Sequence, residues 1–322
     1  MTGSIAPQIQ SPADQRVLAE IWVGLTAPQK HLSAKFFYDT RGSELFEAIT
    51  QLPEYYPTRC ERRVLETWMP ELMPAFAPGT IIELGAGSSE KTRILLGALQ
   101  ALSGRRAYVP IDVSKAFLQA TAQRLRADFP TLEVVPVVGD ISRGWTLPER
   151  LPRPRLFIFL GGTIGNFAPP EAAKLLARVR QAMHPEDRFL MGIDLRKEAA
   201  VVEAAYNDAQ GVTAEFNLNM LRALNRQYGT TFELTAFRHY AFYDTSLHRI
   251  EMHLVCERGH TITVPTQGSI DMLAGESIRT EISCKHDRDS VTELFDRSGF
   301  SLLELRTDPQ GLFAVVEGVP VT

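Results

Sequence analysis

The chain has 322 residues, with 34 Lys and Arg against 38 Asp and Glu, a formal net charge of −4, and 44% hydrophobic and 22% charged residues. That length accommodates one large core or two smaller ones, and two is the expectation. The charge balance gives no general reason to bind nucleic acid or an anionic membrane, and the three scattered cysteines, Cys60, Cys256 and Cys284, are too few for a disulfide framework.

The opening residues Met1 to Gln8 have neither a basic stretch nor an apolar core, so they do not read as a signal peptide, and residues 1–14 are expected to form a flexible tail. No run approaches the roughly 20 apolar residues of a membrane span. A reducing cytoplasm is the expected compartment. The densest basic knot, Arg59-Cys60-Glu61-Arg62-Arg63, is interrupted by an acid and reads as a solvated helix face.

The most informative stretch follows, Ile81-Ile82-Glu83-Leu84-Gly85-Ala86-Gly87-Ser88-Ser89-Glu90-Lys91-Thr92. An apolar run ends at a glycine turn, and Arg93 to Leu99 reads as a helix. Strand, tight turn and helix are the entry to a nucleotide-sized site in an α/β sheet. Gly85 and Gly87 let the backbone bend sharply and a ligand approach closely. A dinucleotide fingerprint would place a third glycine where Glu90 stands, and the Gly-Lys-[Ser/Thr] of a P-loop is absent. Glu83 and Glu90 bracket the turn and would repel a pyrophosphate. A cationic or zwitterionic nucleoside fits better, with S-adenosylmethionine the leading candidate.

Later strands agree. Arg106 to Asp112 ends in an acid about 25 residues past the turn, where a carboxylate accepts hydrogen bonds from ribose hydroxyls. A third run, Leu132 to Asp140, ends in Gly-Asp, a place for a carboxylate to meet the adenine amino group. A fourth, Leu156 to Leu160, breaks at Gly161-Gly162-Thr163-Ile164-Gly165-Asn166-Phe167. One strand-terminal Asp is more often a helix cap than a ligand contact. Polar residues at several carboxyl strand ends, where open α/β sheets bind ligands, favour the site. Asn166 begins a partial echo, Asn-Phe-Ala-Pro, of the loop with which amine methyltransferases hold the attacking nitrogen.

A fifth strand spans Arg188 to Leu195, after which the βαβ rhythm stops. Residues 197–285 mix helical stretches, around Glu203–Ala209 and Thr213–Arg226, with strands such as Arg249–Val255 and His260–Val264. The expected organisation is a core of residues 60–196 plus 286–322 and a substrate-binding domain of residues 15–59 plus 197–285. Ser290 to Glu293 reads as a capping box opening a helix that closes near Gly299. Phe300–Leu305 and Leu312–Val316 flank the turn Asp308-Pro309-Gln310-Gly311. A metal is not expected: His248 and His253 lie on an alternating strand pattern and face opposite ways.

With these stretches assembled, the chain resembles the L-histidine Nα-methyltransferases of ergothioneine biosynthesis, the EgtD family, over nearly its full length. The resemblance is carried by Phe37-Tyr38-Asp39, Leu52-Pro53-Glu54-Tyr55-Tyr56-Pro57-Thr58-Arg59, the Glu83 to Thr92 turn, Thr163-Ile164-Gly165-Asn166, Gly211-Val212-Thr213 and Glu281-Ile282-Ser283-Cys284-Lys285. It implies an α/β fold, a Rossmann-like S-adenosylmethionine-dependent methyltransferase core with an inserted α+β substrate-binding domain. It also implies trimethylation of histidine to hercynine. A monomer with no nucleic-acid or membrane partner is the separate expectation.

Carried over by position, Tyr55, Gly85, Gly87, Lys91, Asp112 and Asp140 would serve the cofactor. Tyr38, Tyr55, Asn166, Tyr206, Met252, Glu281 and Ser283 would serve histidine, with Tyr38, Asn166 and Tyr206 nearest the chemistry. In the family, the residues matching Asn166 and Tyr206 hold the amino and carboxylate groups, and those matching Glu281 and Ser283 read the imidazole. Independently, Glu281 and Ser283 are two apart on an extended segment and point one way, a carboxylate and a hydroxyl suited to two ring nitrogens. The alternative for that pair is a solvent-facing polar edge. Gly162 and Asn207 depart from the family pattern, in which Ser and an acid are usual, and Asn207 is expected to alter hydrogen bonding near the substrate amine. Two other functions stay open: methylation of another aromatic amino acid such as tryptophan, and a catalytically silent S-adenosylmethionine-binding regulatory protein.

Overall fold

The computed structural model describes residues 11–87, 91–141 and 143–321. Helices α1 (Pro12–Thr26), α2 (Thr40–Gln51) and α3 (Pro57–Phe76) precede strand β1 (Thr80–Leu84). An alternation follows: α4 (Thr92–Gln100), β2 (Arg106–Asp112), α5 (Lys115–Asp128), β3 (Leu132–Val134), β4 (Val137–Val138), β5 (Arg155–Phe159), α6 (Pro169–Gln181) and β6 (Arg188–Asp194). Next come α7 (Ala199–Tyr206), α8 (Val212–Tyr228), β7 (Phe237–Asp244), β8 (Arg249–Cys256), β9 (His260–Val264), β10 (Gly268–Met272) and β11 (Ser277–Cys284). The chain closes with α9 (Arg288–Ser298), β12 (Phe300–Thr307) and β13 (Phe313–Pro320).

These elements form two compact units, one of residues up to Tyr56 with Lys197–Ser283, the other of Pro57–Arg196 with Cys284–Thr322. Residues 57–59 and 284–285, assigned from the sequence to the substrate-binding segment, therefore group with the sheet unit. Pro57 opens α3, so the three residues before 60 are already part of that helix.

The sheet unit is built on the order β12-β13-β6-β5-β1-β2-β3, with β4 also paired to β2. β1 and β5 are buried along their whole length, as central parallel strands covered on both faces require. The single third strand expected over 132–140 is two short pieces, because Pro136 has no N–H to give the ladder. β13 runs antiparallel to β6 and β12 antiparallel to β13. Asp308 shapes their turn by accepting from the backbone N–H groups of Gln310, Leu312 and Phe313. Helix α9 starts earlier than expected: Asp287 is its N-cap and exchanges hydrogen bonds with Ser290, so the capping box lies three residues upstream of the Ser290–Glu293 reading. It ends at Gly299 in the left-handed conformation, as expected.

In the other unit, β11, β8 and β7 make one small sheet, and β9 and β10 another. Helix α8 packs against α2 and β7. Of the tail expected over residues 1–14, residues 1–10 lie outside the described residues and 11–14 are not a tail. Ser11 caps α1 in a reciprocal box with Asp14, Pro12 occupies the first turn, and Leu18, Ile21 and Leu25 are buried. Among the described residues no helix is long and apolar enough to cross a membrane.

Candidate active site

In the sheet unit, parallel pairing of β1 with β2 and β5 brings their carboxyl ends to one edge. There Gly85 and Gly87 adopt left-handed φ values of 67° and 50°. The Gly85 and Ala86 amides donate to the Ile111 carbonyl at 2.9 and 3.1 Å, and the Gly87 amide donates to Asp112 Oδ2 at 3.2 Å. The other Asp112 oxygen accepts from Ser114 N at 3.0 Å. Val138 pairs with Asp112, and the Gly139 amide donates to the Asp112 carbonyl at 3.0 Å, so Asp140 follows directly on the neighbouring strand end. Asp140 Oδ2 stands 3.4 Å from Arg143 Nε. Gly85, Gly87, Asp112 and Asp140 thus gather along one edge. Among the described residues no atom lies within 4 Å of where a Cβ on Gly87 would stand.

Of the two acids expected to bracket the turn, one lies outside the described residues and the other is placed differently. Glu90, with Ser88 and Ser89, lies outside the described residues. Glu83 does not line the turn: it is buried, taking the Thr92 hydroxyl on Oε1 at 2.6 Å and the Tyr108 hydroxyl on Oε2. Burial pushes its carboxyl up to about 7, against the pull of those hydroxyls and of Lys91. The Lys91 ammonium is paired with Glu61, whose other oxygen accepts the Gly161 amide at 2.7 Å. Glu61 is fully buried, so the basic knot around it is not wholly a solvated face; only Arg59, Arg62 and Arg63 are exposed there.

Asn166 ends a 3-10 turn, Thr163–Asn166, that leaves β5 through Gly161 and Gly162. Gly162 has φ 67°, and a Cβ there would stand 3.3 Å from Phe313. The left-handed backbone favours the glycine found where the family usually has serine.

In the other unit, Asp39 fixes the backbone beside Tyr38. It caps α2 through the Gly42 amide at 2.7 Å and accepts from Asn219 Nδ2 at 2.8 Å and Arg226 at 2.6 Å. The Tyr38 ring meets Phe46 and Phe216 edge-on, with centroids 5.9 and 6.1 Å away. Phe46 in turn meets Tyr55 at 6.3 Å, and Tyr55 meets Tyr206 at 6.4 Å. Tyr38 is 49% exposed as a residue. Its hydroxyl is nonetheless desolvated, and with the charges of Glu281 and Tyr206 nearby its pKa is raised, so it stays protonated at neutral pH.

Tyr206 ends α7, and its carbonyl takes His239 Nε2 at 2.8 Å; Asn217 holds the other His239 nitrogen at 2.9 Å. β11 is extended from Ser277 to Cys284, so Glu281 and Ser283, two apart, share a side. Burial alternates only as far as Glu281: Glu281 and Ile282 are part-buried and Ser283 is buried. Met252 is buried on β8 and is tied to β11 by the Thr280 hydroxyl, which donates to the Met252 carbonyl at 3.1 Å. The structure thus groups Tyr38, Tyr55, Tyr206 and Glu281, whereas Met252 joins only through strand pairing.

The family profile described as histidine-specific, S-adenosylmethionine-dependent methyltransferase matches residues 17–318. The chain belongs to that family. It is 38% identical over 317 residues to the histidine N-alpha-methyltransferase of Mycolicibacterium smegmatis, covering 98% of each chain. It is 32% identical over 287 residues to ergothioneine biosynthesis protein 1 of Neurospora crassa, covering 84% of this chain and 31% of that one. Among solved structures it is similar to mitomycin 7-O-methyltransferase, with a TM-score of 0.51 at 12% identity, covering 97% of this chain and 69% of that one. As a member of the S-adenosylmethionine-dependent family, the chain has a Rossmann-like core, and S-adenosylmethionine is its cofactor. The glycine turn, with Asp112 beside it and Asp140 just past the end of the adjacent strand, fits that group.

Sequence reasoning missed Phe46 and Phe216, which link the tyrosines, and Glu61. It also missed a buried chain on β8. There Glu251 accepts from Arg249 Nε at 2.7 Å and pairs with His253 Nε2 at 2.9 Å, while His253 Nδ1 meets Ser277 Oγ at 3.0 Å. His253 is therefore a core histidine, and burial lowers its pKa. The other departure from the family pattern, Asn207, is also structural. Its amide donates to the Glu203 and Ala241 carbonyls at 2.9 and 3.0 Å and accepts the Ala241 amide at 3.2 Å. Those bonds hold it on the backbone.

Proposed function

We propose that this protein trimethylates the α-amino group of L-histidine to give hercynine, the first step of ergothioneine biosynthesis. The observation that carries the reading is the chain of ring contacts that joins Tyr38 through Phe46 to Tyr55 and Tyr206 within one unit, with the charge of Glu281 felt at the Tyr38 hydroxyl. A carboxylate and hydroxyls recognise a small zwitterion with a ring N–H, and aromatic faces suit its methylated, cationic product. Glu281 accepts an imidazole N–H and Ser283 donates to the other ring nitrogen, which fixes the ring. Tyr206 holds the substrate's polar end.

Bound S-adenosylmethionine supplies an electrophilic methyl group on a sulfonium. Gly85 and Gly87 would admit it, Asp112 would hold the ribose hydroxyls and Asp140 the adenine amino group. The Asn166 carbonyl directs the amine lone pair towards the methyl carbon. That cofactor would give its methyl carbon to the amine and leave as a neutral thioether, so what the chain's residues contribute is alignment rather than acid–base help. An amine with a pKa of about 8 must lose a proton before each transfer. Tyr38, held protonated, is suited to hydrogen bonding with the amine, and a tyrosine or a water path carries the proton away. After the third methyl no proton remains and the cycle stops. The three cysteines are free and buried, which supports work in a reducing cytoplasm, and a monomer suffices for every role named.

The test is incubation of the purified protein with S-adenosylmethionine and an equimolar mixture of the twenty amino acids, read by mass. A single new species at histidine plus three methyl groups is expected. Trimethylation of tryptophan or another amino acid would discard the imidazole reading. No methylated product, with S-adenosylhomocysteine still bound, would favour a silent binder.

A further inference from the structure

We propose that Glu61 is a positioning residue for methyl transfer. Its single carboxylate fixes Lys91, at the entrance to α4, and the Gly161 amide, at the head of the loop carrying Asn166. One segment belongs to the cofactor turn and the other to the loop that presents the acceptor nitrogen. Both are in the sheet unit, and Glu61 joins them.

Glu61 lies on α3 with Val64, Leu65 and Trp68, the apolar positions of that helix, and is 0% exposed. Its Oε1 accepts from Gly161 N at 2.7 Å, and its Oε2 pairs with the Lys91 ammonium. The strand behind it is shaped to admit the carboxylate. Gly192 sits inside β6, where a glycine weakens a strand, and a Cβ there would overlap Glu61 Oε1. Buried ion pairs are a poor source of stability, since apolar residues of the same volume commonly do as well or better. The pairing therefore makes more sense as a device for placement. An in-line transfer loses rate steeply when donor and acceptor shift by about an ångström. A carboxylate gripping both segments resists such a shift. It also neutralises Lys91, whose unpaired charge would disfavour a sulfonium nearby.

The inference rests on the placement of S-adenosylmethionine at the Gly85–Gly87 turn. The test uses Glu61→Gln, whose amide oxygen still accepts the Gly161 N–H while the charge towards Lys91 is lost. A second variant, Lys91→Met, changes a side chain that is 20% exposed. S-adenosylhomocysteine affinity is measured by calorimetry, and KM for S-adenosylmethionine and kcat by turnover.

Glu61→Gln is expected to weaken S-adenosylhomocysteine binding about ten-fold and to lower kcat at saturating substrates. Lys91→Met should move both values the same way, and the double variant should be no worse than the poorer single one. A folded Glu61→Gln protein with a lower Tm but unchanged affinity, KM and kcat would overturn the proposal, as would strictly additive effects in the double variant. If Glu61→Gln does not fold, unchanged constants in Lys91→Met overturn it. Failure of the cofactor placement itself would show separately, as unaltered S-adenosylhomocysteine affinity in Asp112→Ala.

Discussion

Thr92 donates its hydroxyl to Glu83 Oε1 at 2.6 Å, so the first residue of α4 is tied back to β1 across the glycine turn. With the Tyr108 hydroxyl on the other oxygen, Glu83 acts as an internal clamp. Burial raises its carboxyl from an ordinary 4.5 to about 7, so the folded chain binds that proton more tightly than the unfolded one. The stability gained is fully present below about pH 4.5 and is lost as pH rises through 7. Glu83→Gln is neutral throughout. Its stability relative to the native sequence should therefore improve between pH 5 and pH 8, by on the order of 2 kcal/mol. Thermal melts of both proteins across that range check this, and a constant difference would sink it.

Removal of the Glu281 carboxylate should fall mainly on histidine recognition. Glu281→Ala is expected to raise KM for histidine about 10- to 100-fold, the usual loss for a hydrogen bond to a charged group. Relative kcat/KM for histidine and tryptophan is the measurement. Unchanged discrimination would remove Glu281 from imidazole reading.

Asp112 accepts from both Gly87 N and Ser114 N, so Asp112→Ala removes the proposed ribose acceptor and loosens the turn together. S-adenosylhomocysteine affinity should drop at least about ten-fold. Calorimetry that finds no change would show that the cofactor does not use the end of β2.

Asn166→Ala should act on the chemical step. A fall of about 100-fold in kcat/KM, with little change in S-adenosylhomocysteine affinity, is the expected pattern for a group that aligns the nucleophile. A drop of less than three-fold would assign that alignment to another residue.

Asn207→Ala should do the opposite. Three hydrogen bonds to Glu203 and Ala241 are lost from a partly exposed site, so stability should fall by about 1 kcal/mol with KM for histidine unchanged. A raised KM with an unchanged Tm would return Asn207 to the substrate.

Local chemistry decides how much of this was legible in the sequence. The run from Arg106 to Asp112 forms β2 over those same residues, because an apolar stretch capped by an acid admits few other readings. Likewise Gly299 ends α9 where a left-handed residue was required. Glu61 escaped notice because it was weighed with the charges beside it in sequence. Helical spacing, 61, 64, 65 and 68, groups it with the buried face, and a carboxylate there demands partners that only the tertiary fold reveals. The same holds for Glu83, whose inward turn depends on Tyr108 from the next strand. Phe46 is an ordinary apolar helix residue until Tyr38 and Tyr55 are seen on either side of it. The capping box of α1 was readable in Ser11 to Asp14, but it fell inside a stretch set aside as a tail.

The interrupted layout of the sheet unit has a consequence for biosynthesis. β6 takes β13 as its antiparallel neighbour, and Arg188 on the one pairs with Glu317 on the other, 129 residues further along. Everything from α7 to β11 leaves the ribosome before that partner exists. Until then the nascent chain holds β6 with one side unmatched, a strand open to the wrong partner. Pairing so distant in sequence is slow to form. Completion of the cofactor-binding sheet is thus deferred until β13 itself has been translated, and loss of that strand would leave a sticky nascent protein as well as an inactive one.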